Sequence, residues 1–371
     1  MNISRVAPFI LHIPVTGGGI ADSTHSITHW GVVGASITTD QGLTGWGFTG
    51  THAHLPSDRL ITACIRDCYS PLLVGKSAAD LEIRIDELAH HPPVQWVGRA
   101  GITQLALAAI DTALWDLRAK AAEKPLWNLL TEDPKDQLMA YNTDIGWLSI
   151  PTDQLIQGAR QAIETGGFRG IKIKVGSADP ETDVRRLEAV RKAIGPDIML
   201  AVDANGKWTL EQALAFCSNA EGFDVHWFEE PLWYDDVVSH RELAQKTRIP
   251  VALGEQLYSP HDFVTFIDAK AVHFVQPDVT RLAGISDFLK VADFAHARQL
   301  PVAAHVGDMG QVHVHLSFAH PACPLLEYIP WIKDAFEDSI RVEDGNYLLP
   351  QLPGAGTTPK PESLERYAKP L

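Results

Sequence analysis

The hydrophobic and polar positions follow one pattern in the first third of the chain and another in the rest. Residues 31–38 and 43–48 are typical of strands, and the polar turn at residues 40–42 joins them into a predicted β-hairpin. Across residues 101–121 apolar side chains recur at steps of three and four, which predicts a helix with a broad apolar face. The first third is therefore predicted to be an α+β unit.

After a polar segment at residues 132–136 a regular alternation begins. Stretches with helical periodicity, such as residues 180–194 and 210–220, separate short apolar runs. These runs lie at residues 138–141, 171–175, 199–203, 227–229, 251–255, 273–276, 302–305 and 325–327. Eight strands alternating with helices fit a closed parallel barrel better than an open sheet, although residues 316–324 are only weakly helical.

Composition narrows the class of protein. The chain has 371 residues, 31 Lys and Arg, 46 Asp and Glu, and a formal net charge of −15, which disfavours general binding to nucleic acid or to anionic membranes. It has no long apolar run, and residues 1–14 do not resemble a signal peptide. We expect a cytoplasmic homo-oligomer whose four cysteines are free thiols.

Charged residues end the predicted strands one after another. They are Asp203, Glu229, Glu255, Asp278, His305 and Glu327. Successive members are about 25 residues apart, close to the length of one βα unit, so all six should meet at the C-terminal rim of the barrel. A single carboxylate at a strand end is most often a helix cap, but six in succession are hard to explain in that way.

Three of these residues, Asp203, Glu229 and Glu255, come from consecutive strands and offer only oxygen atoms. Packed together without a cation, their carboxylates would repel one another. Hard oxygen ligands suit Mg²⁺, with Mn²⁺ as a substitute, and the absence of histidine among them weakens the case for zinc.

Lys172 and Lys174 share one face of the strand at residues 171–175, while its apolar residues share the other. The alternative is a solvated edge strand, but a closed barrel has no edge. Two buried ammonium groups beside a divalent cation should lower each other's pKa towards neutrality. A neutral lysine near pH 7 is a competent general base.

Asp278 and His305 close adjacent strands, where the carboxylate could fix the tautomer of the imidazole. Taken alone, His305 would more often be a core histidine, but perturbed titratable groups gather at sites. Glu327 could donate a hydrogen bond as a carboxylic acid or form a salt bridge with a neighbouring cation. The residue pattern separates these two roles weakly.

A divalent ion with a lysine on one side and a His–Asp pair on the other is the arrangement expected of an enzyme that abstracts the proton α to a carboxylate. Bases on opposite faces permit racemisation, or β-elimination in which the second group acts as the acid.

These residues occur in a set of motifs. The set comprises the hairpin at residues 31–48, Ala113-Leu114-Trp115-Asp116-Leu117, Lys172-Ile173-Lys174, Asp203-Ala204-Asn205, Trp227-Phe228-Glu229-Glu230-Pro231, Gly254-Glu255, Gln276-Pro277-Asp278 and His305. In them the chain resembles the enolase superfamily and, within it, the mandelate racemase subgroup. The resemblance implies a (β/α)7β TIM-type barrel with an N-terminal α+β capping domain completed by the C-terminal tail. The expected domains are residues 1–130, 131–340 and 341–371.

The resemblance also implies a role for each matching residue. Asp203, Glu229 and Glu255 would bind Mg²⁺, and Lys174 would be the base on one face. Lys172 would touch the substrate carboxylate, and His305 with Asp278 would be the acid or base on the other face. Glu327 would be an electrophilic acid, Asn205 would bind substrate near the metal, and Glu230 would support the site without binding the ion.

The leading hypothesis is an acid-sugar dehydratase whose partner is a small sugar acid. A racemase or epimerase and a sugar-acid cycloisomerase remain open alternatives. A non-catalytic binding barrel is disfavoured because no expected ligand or base is missing. Specificity is expected in the cap loops at residues 16–20 and 49–54. There His52 and His54 are candidate substrate contacts, and each could equally be a plain surface residue.

Overall fold

The protein is described by a computed structural model that covers residues 1–51, 54–307 and 310–371. Its N-terminal part contains an antiparallel sheet in the order β1-β4-β5 and a small separate hairpin, β2-β3. The strands are β1 (Ile3–Pro14), β2 (Ile20–Ala21), β3 (Ser26–Ile27), β4 (His29–Thr39) and β5 (Thr44–Gly50). The predicted hairpin at residues 31–48 is the β4–β5 pair. Strand β1 was not predicted, because it contains prolines and is only partly buried, as suits an edge strand.

The helices of the cap follow the sheet along the chain, and the longest of them packs against β4 and β5. They are α1 (Asp58–Cys64), α2 (Ser70–Leu73), α3 (Leu81–Ala89), α4 (Pro92–Val97), α5 (Ile102–Ala121) and α6 (Trp127–Leu130), with a π-helical turn at Ile65–Tyr69. Helix α5 matches the prediction for residues 101–121 and is buried along most of its length. It lies directly on β5, since a Cβ atom at Gly47 would approach the Ala109 carbonyl oxygen to 2.2 Å.

Parallel strands and outer helices form the second part. The strands are β6 (Leu138–Asn142), β7 (Gly170–Lys174), β8 (Met199–Asp203), β9 (Val225–Glu229), β10 (Val251–Leu253), β11 (Phe274–Val275) and β12 (Leu325–Tyr328). The helices are α7 (Thr152–Glu164), α8 (Pro180–Ile194), α9 (Leu210–Ala220), α10 (Val237–Lys246), α11 (Pro260–Asp268), α12 (Ile285–Ala297) and α13 (Gly310–Ala319). Short 3₁₀ turns lie at Leu55–Ser57, Glu221–Phe223 and Lys333–Ala335.

Strand β12 pairs with β6 and closes the barrel. The predicted barrel is thereby confirmed, with one strand weaker than expected. The run at residues 302–305 forms only a single parallel bridge, between Val302 and Val275. It is nevertheless in its expected place, because Ala303 N donates to the Val275 carbonyl at 2.9 Å.

Alternation along the strands separates the barrel interior from the helix layer. Small and aromatic side chains such as Ala201 and Trp227 fill the interior, whereas Ile171 and Ile173 join the larger core under the helices. Most of the charged residues at the rim continue the inward series of their own strands, whereas Glu255 stands three residues beyond the inward Ala252. Asp203, for example, stands two residues beyond Ala201.

The C-terminal segment returns to the cap. Strands β13 (Val342–Glu343) and β14 (Asn346–Tyr347) form a hairpin that was not predicted and that adds antiparallel to β6. Helix α14 (Pro361–Tyr367) then packs near β1, and Lys369 N donates to the Ile10 carbonyl at 3.0 Å. Within the described residues, no helix combines the length and the apolar character needed to cross a membrane.

A buried carboxylate joins the cap to the barrel. Asp111 on α5 accepts hydrogen bonds from Ser286 Oγ at 2.6 Å and Ser286 N at 3.1 Å, at the start of α12. Trp115 Nε1 donates to the same hydroxyl at 2.9 Å. Burial raises the pKa of Asp111 to about 7, because it outweighs the stabilising hydrogen bonds from Ser286.

This shift predicts that stability depends on pH through Asp111. The folded protein holds the proton more tightly than the unfolded chain, whose aspartate pKa is near 3.8. The contribution of Asp111 to the free energy of unfolding is therefore largest below that value and falls as the pH rises towards 7. Across this range the difference between wild type and Asp111→Asn should change by on the order of 3 kcal/mol, measured by urea unfolding at each pH. Asp153→Asn, at an exposed position, is the control, and parallel pH profiles for wild type and Asp111→Asn would contradict the prediction.

Candidate active site

Three carboxylates meet at the C-terminal end of the barrel strands. Asp203 and Glu229 end the neighbouring strands β8 and β9 in register, and Glu255 follows β10. One carboxylate oxygen of each lies within 4.8 Å of the others, and all three side chains are buried. The structure thus brings together the three ligands predicted from separate strands.

This triad fits a divalent cation. Its atoms are all carboxylate oxygens, which Mg²⁺ and Mn²⁺ prefer over softer donors. Burial raises the pKa of Glu229 to about 7, and repulsion from Asp203 adds to the effect although Lys172 opposes it. A cation among the three oxygens would offset this repulsion.

The two lysines of β7 point into the barrel, as the alternation predicted. Lys172 Nζ lies 2.5 Å from Glu229 Oε1 and 2.8 Å from Glu327 Oε1, and it is fully buried. Lys174 Nζ donates a hydrogen bond to Asp203 Oδ2. Both ammonium groups therefore reach the carboxylates of the triad.

The carboxylates around the two lysines raise both lysine pKa values, whereas lowered values were predicted for lysines beside a divalent cation. Burial alone would lower the pKa of Lys172, but attraction by Glu229 and Glu327 outweighs it and raises the pKa well above its ordinary value. The pKa of Lys174 is likewise raised, chiefly because Asp203 overcomes the effect of burial. The sequence pattern showed that the two lysines repel each other. It did not show how strongly the surrounding carboxylates stabilise their charged forms.

His305 and Asp278 form the predicted pair. His305 Nδ1 lies 2.7 Å from Asp278 Oδ2, and Nε2 lies 3.1 Å from Glu255 Oε2. Burial favours neutral imidazole, but Glu255 and the hydrogen bond with Asp278 raise the pKa of His305 to about 10. The geometry therefore favours an imidazolium that can donate a proton.

Glu327 lies across the barrel mouth in a dense hydrogen-bond network. Its oxygens accept from Thr143 Oγ1 at 2.7 Å and from Val306 N at 3.0 Å, besides the contact with Lys172. Burial alone would raise the pKa of its carboxyl group. The nearby charges of Lys172 and His305 outweigh burial and lower the pKa to about 2. These surroundings favour the salt-bridge alternative for Glu327 over the hydrogen-bond-donating acid.

Several supporting residues escaped the sequence analysis. Gln276 Nε2 and Trp227 Nε1 donate to Glu229 Oε2 at 2.7 and 3.0 Å, which fixes the orientation of that carboxylate. Both residues lie two positions before a predicted site residue, in the motifs that contain Glu229 and Asp278. This spacing places them on the same face of the strand and could have identified them. Thr143 follows β6, the one barrel strand for which no charged end was noted.

Asn205 and Glu230 each adopt a left-handed backbone conformation just after a proposed metal ligand, with φ of 48° and 38°. Asn205 N donates to Asp203 Oδ1 at 2.8 Å, and its side chain lines the cavity described below. The Glu230 carboxyl group is buried, and no hydrogen-bond partner for it occurs among the described residues. Burial and repulsion by Glu255 raise the pKa of Glu230 well above its ordinary value.

A cavity of about 330 Å³ lies between this cluster and the cap. From the first cap loop its lining residues are Asp22, His25 and Ile27 rather than the predicted residues 16–20. Asp22 Oδ2 lies 3.0 Å from His25 Nδ1, and Ser23 Oγ donates to the Ala204 carbonyl at 2.8 Å. This loop therefore rests directly on the barrel rim.

The second cap loop lines the same cavity through Thr51 and His54. His54 Nδ1 lies 2.7 Å from Ser57 Oγ. His52, the other predicted substrate contact, lies outside the residues that the structure describes.

The arrangement can stabilise an anion and move protons on either side of it. Lys174 contacts Asp203 at one end of the carboxylate row, and His305 contacts Glu255 at the other end. A small acid held between them would meet a proton-transfer group on each face.

Comparison with known proteins gives two family matches that together span most of the chain. The model described as "Enolase C-terminal domain-like" matches residues 154–363. The model described as "Mandelate racemase / muconate lactonizing enzyme, N-terminal domain" matches residues 9–131.

Individual relatives agree with these matches. The chain is 36% identical over 336 residues to L-talarate/galactarate dehydratase of Salmonella typhimurium, covering 90% of this chain and 81% of that protein. It is 31% identical over 371 residues to 3,6-anhydro-alpha-L-galactonate cycloisomerase of Streptomyces coelicolor, covering 99% of each. The structure of the Salmonella typhimurium LT2 dehydratase liganded with Mg and L-lyxarohydroxamate superposes with a TM-score of 0.91 and 33% identity, covering 99% of this chain and 93% of that one.

Removing one carboxylate of the triad should weaken metal binding. Glu255→Gln replaces a charged oxygen ligand by a neutral amide and should raise the Kd for Mg²⁺ by about 100-fold, or about 3 kcal/mol, in isothermal titration calorimetry. Glu242→Gln, on the exposed face of α10, is the matched control and should bind like wild type. Equal affinity in all three proteins would show that the triad is not the metal site.

Proposed function

The chain belongs to the mandelate racemase/muconate lactonizing enzyme family of the enolase superfamily, and from this premise we propose that it is a Mg²⁺-dependent acid-sugar dehydratase. It would remove the proton α to the carboxylate of a sugar acid and eliminate the β-hydroxyl as water. The product would be a 2-keto-3-deoxy acid. The talarate/galactarate dehydratase among its relatives supports this choice of reaction.

One observation carries the proposal. Lys174 and the His305–Asp278 pair flank the same carboxylate row from opposite ends. Elimination needs one group to take the α-proton and another to protonate the departing hydroxyl. A binding protein would have no use for two buried proton-transfer groups placed in this way.

Each residue then has a defined task. A divalent ion held by Asp203, Glu229 and Glu255 would supply the positive charge that stabilises an enediolate anion. Lys172, fixed between Glu229 and Glu327, binds the substrate carboxylate. Lys174 would take the α-proton in its neutral form, which a cation held by Asp203 would favour by opposing the attraction that raises the pKa of the lysine.

The second half of the reaction falls to His305. Its imidazolium donates a proton to the β-hydroxyl as the C–O bond breaks and water leaves. Asp278 holds Nδ1 throughout, so that Nε2 faces the reacting groups. The resulting enol tautomerises to the keto acid.

A cycloisomerase is the second candidate. The anhydrogalactonate cycloisomerase aligns over 99% of both chains, whereas the alignment covers 81% of the talarate/galactarate dehydratase. Such an enzyme would use the same anion but would open a ring oxygen instead of expelling water. The product would then keep the mass of the substrate.

A panel of sugar acids incubated with Mg²⁺ tests the reaction. We expect keto acid, detected with semicarbazide, and loss of one water by mass spectrometry. Lys174→Ala and His305→Asn should each lower kcat by about 100- to 10,000-fold, the usual contribution of a general acid or base. Exchange of the α-proton with deuterium but no keto acid would instead indicate a racemase, and a product of unchanged mass would indicate a cycloisomerase.

We further propose that His25 binds the substrate from the first cap loop. It lines the cavity, its Nδ1 lies 3.0 Å from Asp22 Oδ2, and the hydrogen bond with Asp22 raises its pKa, with a smaller contribution from Glu255. His25→Gln should raise KM about tenfold, as expected for loss of a hydrogen bond to a charged group, with a smaller change in kcat. The control is His29→Gln, at an exposed position on β4, and an unchanged KM in His25→Gln would contradict the proposal.

A further inference from the structure

Trp147 lies in the loop after β6 and forms the cavity wall beside Lys174. The residue is 4% exposed and lines the cavity. Lys174 Nζ lies 5.2 Å from the centroid of its ring. The face of an indole attracts an ammonium group, and the attraction grows where water is excluded. The ring is therefore a direct partner of the lysine proposed as one base.

The backbone on either side of Trp147 is tied to the barrel. Gly146 lies so close to β7 that an added Cβ atom would approach the Lys172 carbonyl oxygen to 2.0 Å, and its own carbonyl accepts from Lys174 N at 2.8 Å. Arg186 on α8 donates to the carbonyls of Trp147 and Ile150 at 2.9 and 2.8 Å. The loop and the lysine strand are consequently held as one piece.

Two further indoles extend this aromatic contact towards the cap. Trp331 packs against Trp147 with centroids 5.0 Å apart, and its Nε1 donates to Asp144 Oδ1 at 2.5 Å. Trp30 of the cap meets Trp331 edge-on at 4.9 Å. This indole wall of Trp30, Trp331 and Trp147 fixes the ring face that Lys174 meets.

We propose that Trp147 is a positioning residue that holds the amino group of Lys174 at one face of the substrate and stabilises the ammonium formed when it takes the α-proton. The inference rests on the proposed function, because it assigns a supporting group to the base of that reaction. Asp203 cannot fill this role alone, since the same carboxylate is a proposed metal ligand. The indole face holds the ammonium without competing for the ion.

The geometry confines this effect to one face. His305 is held by Asp278 and lies at the opposite end of the carboxylate row, next to Glu255. Trp147 contacts the lysine end. Loss of the indole should therefore slow proton transfer through Lys174 and leave transfer through His305 nearly unchanged.

The test measures α-proton exchange in D₂O, by NMR, for two sugar acids epimeric at the α-carbon, one presenting its proton to each base. Lys174→Ala and His305→Asn first assign each epimer to its base. Trp147→Leu should lower kcat for the Lys174-facing epimer about tenfold, change KM less than about twofold, and change the other epimer less than about threefold. Trp147→Phe should retain most of the rate, and calorimetry should give both variants the wild-type Mg²⁺ affinity.

Trp233→Leu is the matched control, because this tryptophan is 58% exposed, and it should exchange both epimers like wild type. Equal losses on both epimers, no loss in Trp147→Leu, or equal losses in the Leu and Phe variants would each overturn the proposal. If Trp147→Leu does not fold, Trp147→Met, which also lacks a ring but is larger, replaces it: an unequal effect on the epimers supports the role, and an equal effect or no effect overturns it. Exchange without keto acid would contradict the dehydratase proposal only, since the ratio between epimers still reports on Trp147.

Discussion

Mutual repulsion among the buried carboxylates of Asp203, Glu229 and Glu255 is the constraint on which the rest of the site depends. Their oxygens lie within 4.8 Å of one another, so neighbouring positive charges are needed to offset the repulsion. Lys172 and Lys174 provide it from β7, and His305 provides it from the far side. A bound cation would share the carboxylates with these groups. The cationic side chains that offset the repulsion among the buried carboxylates are thus the same ones proposed to bind the substrate and transfer its protons.

The cap and the barrel are held together by buried polar contacts as well as by apolar packing. Asp111 joins α5 to the start of α12 through Ser286. Asp116, one turn and a half further along α5, accepts from Trp46 N and from Ala355 N, each at 2.8 Å, and so ties the sheet to the C-terminal segment. Because these donors and acceptors are buried, the cap has one favoured position over the barrel. The loop that carries His25 is placed by that docking.

Sequence reasoning succeeded where the signal was local and repeated. The alternation along each strand gave the inward direction of Lys172 and Asp203, and the repeat length brought residues from separate strands to one rim. It failed where the cause was distant. Strand β1 and the β13–β14 hairpin owe their form to pairing with β4 and β6, which no local pattern announces. The lysine pKa values depend on the sum of all neighbouring charges, of which the spacing of two lysines shows only one.

Trp147 was overlooked for a similar reason. An aromatic residue after a glycine in a loop is unremarkable until β7 brings Lys174 beneath it. The sequence signal for Trp147 was weak: a large apolar side chain in the loop after β6, where polar residues are expected.

The contact between residues 368–369 and β1 makes the cap sheet depend on two parts of the chain that are far apart in sequence. Lys369 N donates to the Ile10 carbonyl, and Ala368 bridges to Leu11, although the whole barrel lies between them along the chain. Closing so large a loop costs chain entropy, which the folded barrel between the two ends reduces. The edge of the cap sheet and the barrel should therefore unfold as one cooperative unit.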